Sequence, residues 1–153
     1  MSVHPLAGQR VRACDYPDLE QIKKAYNETI PCIDEPAQRV SFGTSGHRGK
    51  AMDGSFTALH VGSVVQAICN LRQSFGAAGP VFVGADTHYL SQLAYQTTLN
   101  VLAYNKIAAC TDCEGDFVPT PSVSRAVLRY NKNRSEKRGD GIIITPSHNP
   151  PDC

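Results

Sequence analysis

Three observations predict an α/β fold for this chain, a three-layer α/β/α domain built on a mostly parallel sheet. Short apolar runs alternate along the sequence with longer segments of helical period. Glycine, proline and asparagine punctuate the junctions between them. The last apolar run, Ile142-Ile143-Ile144, stops abruptly at Thr145-Pro146-Ser147-His148-Asn149-Pro150-Pro151. In open α/β sheets such strand ends, at the carboxyl edge, are where ligands sit.

Taken in order, Leu19 to Asn27 reads as a short helix, and Arg39 to Phe42 as a strand running into the glycine-rich stretch Gly43-x-x-Gly46-x-x-Gly49. Thr57 is an N-cap candidate. Val61, Val64, Val65, Ile68, Leu71, Arg72 and Phe75 follow it at helical spacing, with Arg72 the polar exception and Gly76 and Gly79 as the stop. Val81 to Val83 forms the next strand. Ser91 to Tyr104 is a helix with Ala94, Thr98, Val101 and Leu102 facing inward, and Ile107 to Thr111 is a third strand. Thr120 as N-cap and Pro121 at the first helical position open a helix that runs to about Tyr130. Asn131 to Gly139, with Lys132, Arg134, Glu136, Lys137 and Arg138, reads as a solvated connection; no aromatic residue is interleaved to stack on bases, so nucleic acid is not expected as a partner.

At 153 residues, 41% hydrophobic and 19% charged, the chain has the size and core content of one globular domain. A formal net charge of +1 supplies no overall field for nucleic acid or acidic membranes, which leaves small anionic ligands as partners. Met1 to Gln9 lacks an apolar segment long enough for export, and nothing later approaches a membrane span, so a cytoplasmic location is expected. In that setting the six cysteines are expected as free thiols, with Cys69 in the core. Cys110-x-x-Cys113 is only half of a tetrahedral site, and no structural zinc is expected there.

Ser147 stands where a nucleophile would stand. Pro146 fixes its own φ, Asn149 can accept a left-handed conformation, and Pro150-Pro151 stiffens the exit. A hydrolase pairing with His148 is a poor one, because neighbours in an extended loop point in roughly opposite directions, and the Gly-x-Ser-x-Gly elbow is absent. A phosphorylated serine fits the surroundings better; it would carry about −1.5 to −2 charges and need cationic or metal partners. Arg48 is the leading cation, since a guanidinium grips two phosphate oxygens at once. Its glycine-rich stretch lacks the Gly-Lys-Ser/Thr ending of a Walker loop and by itself is an ordinary turn. Asp86 and His88 follow the Val81 strand at the sheet edge where Ser147 is expected, with a cap on the next turn as one reading of Asp86. His4 and His60 match no motif and read as surface or packing residues.

Two blocks, Val40-Ser41-Phe42-Gly43-Thr44-Ser45-Gly46-His47-Arg48-Gly49 and Thr145-Pro146-Ser147-His148-Asn149-Pro150, with Val83-Gly84-Ala85-Asp86-Thr87-His88 between them, resemble the α-D-phosphohexomutase family. They are more similar to its bacterial glucose-phosphate branch than to the mannose- or glucosamine-phosphate branches. The resemblance covers roughly residues 38 to 152. It implies a first domain at 38–153, incomplete at its C-terminus, after an N-terminal extension and helix at 1–37, and a sheet whose first strand is antiparallel to the rest. Cys153 stands where the family continues with glycines, so a truncation is expected.

By resemblance Ser147 carries the phosphoryl group, and Thr44, Ser45, Gly46, His47 and Arg48 form the phosphate-binding loop around it. His148 orders the serine loop or contacts phosphate, or else is a solvated loop residue. At position 88 other branches often carry arginine, so no role is carried over to His88. Mg²⁺ would touch an oxygen of the Ser147 phosphate, its other ligands being three aspartates of a second domain. The implied activity of the full-length protein is a mutase, an isomerase that interconverts glucose 1-phosphate and glucose 6-phosphate through glucose 1,6-bisphosphate. This chain, without the later domains that grip the sugar and the distal phosphate, is expected to be inactive alone. The alternatives are a mutase for mannose or glucosamine phosphate, and a noncatalytic phosphate-binding fragment.

Overall fold

The computed structural model describes residues 5–43, 46–115, 117–147 and 149. Helix α1, Leu19–Glu28, opens at Asp18, whose carboxylate accepts the Gln21 N–H at 3.0 Å. Its inward residues Ile22 and Tyr26, four apart, are buried. The Tyr26 hydroxyl lies 2.9 Å from Thr97 Oγ1, and burial pushes the phenol up to about 12 against the opposing effect of that hydrogen bond.

The expected strand at Arg39 to Phe42 does not form; residue 42 makes only an isolated antiparallel bridge to His47. Its hydrogen-bonding groups are taken locally. Arg39 Nε donates to the Ile33 carbonyl (2.7 Å), the Ser41 N–H donates to His47 Nδ1 (3.2 Å), and the Gly43 N–H donates to the Gly46 carbonyl (3.1 Å). The segment therefore closes on itself as a loop, leaving Phe42 62% exposed.

Helix α2, Ala58–Leu71, follows the Thr57 N-cap, whose N–H donates to His60 Nδ1 at 3.2 Å. His60 is a packing residue, 3% exposed, and its Nε2 donates to the Gln38 carbonyl at 2.8 Å. A 3₁₀ turn at Arg72–Phe75 ends at Gly76, which adopts φ 72° in the left-handed region that stops helices. The expected apolar stripe is split between two surroundings. Val61 and Val65 enter the core, while Val64, Ile68, Leu71 and Phe75 line an open groove with Val40 and Phe42. Arg72 is buried because it has a partner: its guanidinium grips both carboxylate oxygens of Asp140 at 2.7–3.0 Å and donates to the Gly79 carbonyl at 2.6 Å.

Strands β1 (Val81–Ala85), β2 (Ala109–Cys110) and β3 (Asp140–Ile144) form a parallel sheet in the order β2-β1-β3. Val81 pairs with Ala109 on one side and Asp140 on the other, and Ala85 pairs with Ile144. Among the described residues this sheet holds no antiparallel strand. Helix α3, Tyr89–Tyr104, covers one face and buries Leu90, Ala94, Thr98 and Leu102 on the side of Val81 and Val83, with α1 and α2 packed against it. Helix α4, Thr120–Asn131, covers the other face.

The close approach of α4 depends on glycine, since a Cβ at Gly84 would strike Val123 Cγ2. Tyr130 meets Phe82 edge-on at 5.5 Å. Thr120 is the first residue of α4 rather than its cap, a position taken by Pro119. These helix layers on either side of a parallel sheet make the expected three-layer α/β/α domain. The connection at 132–138 is exposed throughout.

Candidate functional site

Because β1 and β3 are parallel neighbours in register, their carboxyl ends deliver Asp86 and Thr145 to the same edge. The Asp86 N–H donates to the Ile144 carbonyl at 3.2 Å, extending the pairing by one residue. Thr145 Oγ1 donates to Asp86 Oδ2 at 2.6 Å and accepts the Ser147 N–H at 2.9 Å. The Asn149 N–H donates to the Pro146 carbonyl at 3.3 Å and closes a tight turn. Ser147 is exposed and has φ 65°, so the left-handed residue is the serine, whereas the sequence pointed to Asn149 for that conformation. A non-glycine residue there carries strain of about 1–2 kcal/mol, which the surrounding hydrogen bonds must hold.

Gly46, His47, Arg48 and Gly49 come from the loop closed by the Phe42–His47 bridge, and they line one cleft with Thr145, Pro146, Ser147 and Asn149, about 470 Å³ in volume. Arg48 is exposed and makes no ion pair or side-chain hydrogen bond among the described residues. The ring of His47 is fixed within the chain. Its Nε2 donates to the Ser55 carbonyl at 2.9 Å, its Nδ1 accepts from Ser41, and it stacks on His60 with ring centroids 5.1 Å apart. Gly49 serves the same packing, since a Cβ there would strike the Ser55 backbone. Thr44, Ser45 and His148 lie outside the described residues.

Asp86 does both things its position allowed. Oδ1 caps the start of α3 by accepting the His88 N–H at 3.0 Å and Ser91 Oγ at 2.7 Å, while Oδ2 holds Thr145. Partial burial pushes its carboxyl upward, but hydrogen bonds from Thr145, Ser91 and the His88 N–H, together with the His88 side chain, outweigh this and hold it below the usual carboxylate range. His88 Nε2 donates to the Asn149 carbonyl at 3.0 Å, and Nδ1 lies 3.4 Å from Asp86 Oδ2. Thr145 was not singled out from sequence. Its partner is 59 residues away, and only the pairing of β1 with β3 brings the two together.

Cys110 lies on β2 and Cys113 in the loop after it, both as free thiols. No described helix is long and apolar enough to cross a membrane.

The family model for the phosphoglucomutase/phosphomannomutase alpha/beta/alpha domain I matches residues 39–153, spanning both walls of this cleft. The chain belongs to this family. A phosphoglucomutase of Komagataeibacter xylinus is 42% identical over 151 residues, covering 99% of this chain and 27% of that relative. A phosphoglucomutase of Entamoeba histolytica is 27% identical over 115 residues, covering 75% and 20% of the respective chains. A phosphoglucosamine mutase of Synechococcus elongatus is 34% identical over 127 residues, covering 81% and 25%. The phosphohexomutase domain described here thus spans about a quarter of the length of the curated relatives it matches.

Proposed function

We propose that this chain is the serine-bearing domain of a phosphoglucomutase, in which Ser147 carries the phosphoryl group and Arg48 binds its oxygens. The observation that carries the reading is the cleft itself, where an exposed serine on a restrained strand-end loop shares its walls with an exposed arginine from a loop 99 positions earlier in sequence. The 42% identity to a phosphoglucomutase along 99% of the chain supports glucose phosphate as substrate. Similarity to phosphoglucosamine mutases is lower and covers less of the chain.

The transfer balances without a change in oxidation state. A sugar hydroxyl oxygen bonds to phosphorus as the bond from phosphorus to Ser147 Oγ breaks, and the hydroxyl proton is formally returned to Oγ. The resulting glucose 1,6-bisphosphate turns over; Ser147 Oγ then bonds to its other phosphorus as the bond from that phosphorus to the sugar oxygen breaks, and the Oγ proton is formally passed to that sugar oxygen. Positioning and charge stabilisation supply most of the rate in such reactions. Arg48 contributes a planar fork of donors. His47, with both ring nitrogens engaged inside the chain, braces the loop that presents Arg48, with Thr44, Ser45 and Gly46 as the remaining phosphate-binding positions. His148 is the remaining candidate of the serine loop, to order it or to contact phosphate.

Mg²⁺ would neutralise phosphate charge when bound. The described residues contain no group of three or more His, Cys, Asp or Glu side chains able to hold a metal, so the Ser147 phosphate would be this chain's contribution and the remaining ligands would come from outside it. A coupled assay of the full-length protein with glucose, mannose and glucosamine phosphates tests the reading. Glucose 1-phosphate should give the highest kcat/KM; preference for either of the other sugars would assign the domain to that branch.

A further inference from the structure

The contacts of Asp86 exceed what a helix cap requires. One carboxylate is the root of two chains of polar contacts, the first made of hydrogen bonds and the second opened by an ion-pair contact, that end on opposite sides of the serine turn. Through Oδ2 and Thr145 Oγ1 the first reaches the Ser147 N–H, with steps of 2.6 and 2.9 Å. The second passes from Oδ2 to His88 Nδ1 at 3.4 Å, and from His88 Nε2 to the Asn149 carbonyl at 3.0 Å. The bonds that cap α3, from the His88 N–H and Ser91 Oγ, use the other oxygen. Between the two anchored positions lies the strained backbone of Ser147.

We propose that Asp86, Thr145 and His88 form a positioning unit for phosphoryl transfer, clamping the serine turn from both ends so that Oγ keeps one orientation toward the cleft. The inference rests on the reading of Ser147 as the phosphoryl carrier. None of the three side chains needs to touch the sugar. Their effect falls on the rate of transfer, because an ångström of misplacement at a reacting atom costs about 100-fold. The chemistry at each position is specific. Thr145 must both donate and accept through one oxygen, and residue 88 must place a donor at the Nε2 position, since only a donor satisfies the Asn149 carbonyl.

Two conservative pairs of variants in the full-length protein test this. Thr145→Val keeps shape and removes the hydroxyl, whereas Thr145→Ser restores it. His88→Asn places an amide near Asp86 but falls short of Asn149, whereas His88→Gln carries a donor to the Nε2 position. Each is assayed for turnover of glucose 1-phosphate with glucose 1,6-bisphosphate and Mg²⁺, and for the single-turnover rate of Ser147 phosphorylation. Thermal midpoints are measured alongside.

Val at 145 and Asn at 88 should lower kcat and the phosphorylation rate by about 10- to 100-fold at nearly unchanged KM, with Ser and Gln recovering most of the loss. If all four variants phosphorylate Ser147 at the wild-type rate, or if each loss follows the fraction unfolded, the positioning role is wrong while the phosphoryl-carrier reading stands. If wild-type protein places no phosphate on Ser147, the reading beneath it fails, and the positioning role fails with it.

Discussion

Ser147 is held in a left-handed backbone conformation by hydrogen bonds whose partners come from two strands, and its side chain faces a cleft that also exposes Arg48. At Arg48 the planar fork matters as much as the charge. Arg48→Lys in the full-length protein should lower turnover at least about tenfold, equivalent to about 1.4 kcal/mol of lost transition-state stabilisation. Wild-type steady-state kinetics in that variant would remove Arg48 from the phosphate site. Asp86 makes a prediction about pH. Its folded value lies below the ordinary 3.8, so its contribution is fully present above pH 3.8 and is lost as pH falls through the depressed folded value. The amide resonance of Ser147, followed by NMR against pH, should show an acid transition for this carboxylate with its midpoint below pH 3.8. A midpoint above that value would mean the carboxylate is not held as its hydrogen bonds indicate.

The elements differ in how much of their arrangement is written locally. Helix α2 was legible from the Thr57 cap, the 3.6-residue period and Gly76, all of which act within a few residues. The Arg39 to Phe42 segment was not, because a strand needs a partner and this backbone finds His47 and Gly46 first. Arg72 looked like an interruption of the apolar stripe; its meaning rests on Asp140, 68 residues later, where β3 begins. That ion pair ties the end of α2 to the start of the strand that leads to Ser147. Asp140→Ala leaves a mostly buried guanidinium without its carboxylate and should destabilise the domain by roughly 3 kcal/mol. The shift in urea midpoint between wild type and variant measures it; a loss under about 0.5 kcal/mol would show that solvent replaces Asp140 freely.

At the scale of the whole molecule, the three-layer class and the serine loop could be read from alternation and from the abrupt end of the Ile142 run. The clamp could not, because Asp86 and Thr145 meet only through the parallel pairing of β1 with β3. The same topology explains why a helix-packed sheet makes a reaction platform. Both faces are covered, and its carboxyl edge gathers the ends of neighbouring strands. Phosphorylation of the full-length protein by glucose 1,6-bisphosphate, followed by intact mass and peptide mapping, tests the assignment of this edge most directly. One phosphoryl group should appear, on the peptide containing Ser147, and Ser147→Ala should neither take it up nor turn over glucose 1-phosphate. Phosphate on another residue, with Ser147→Ala still active, would contradict it.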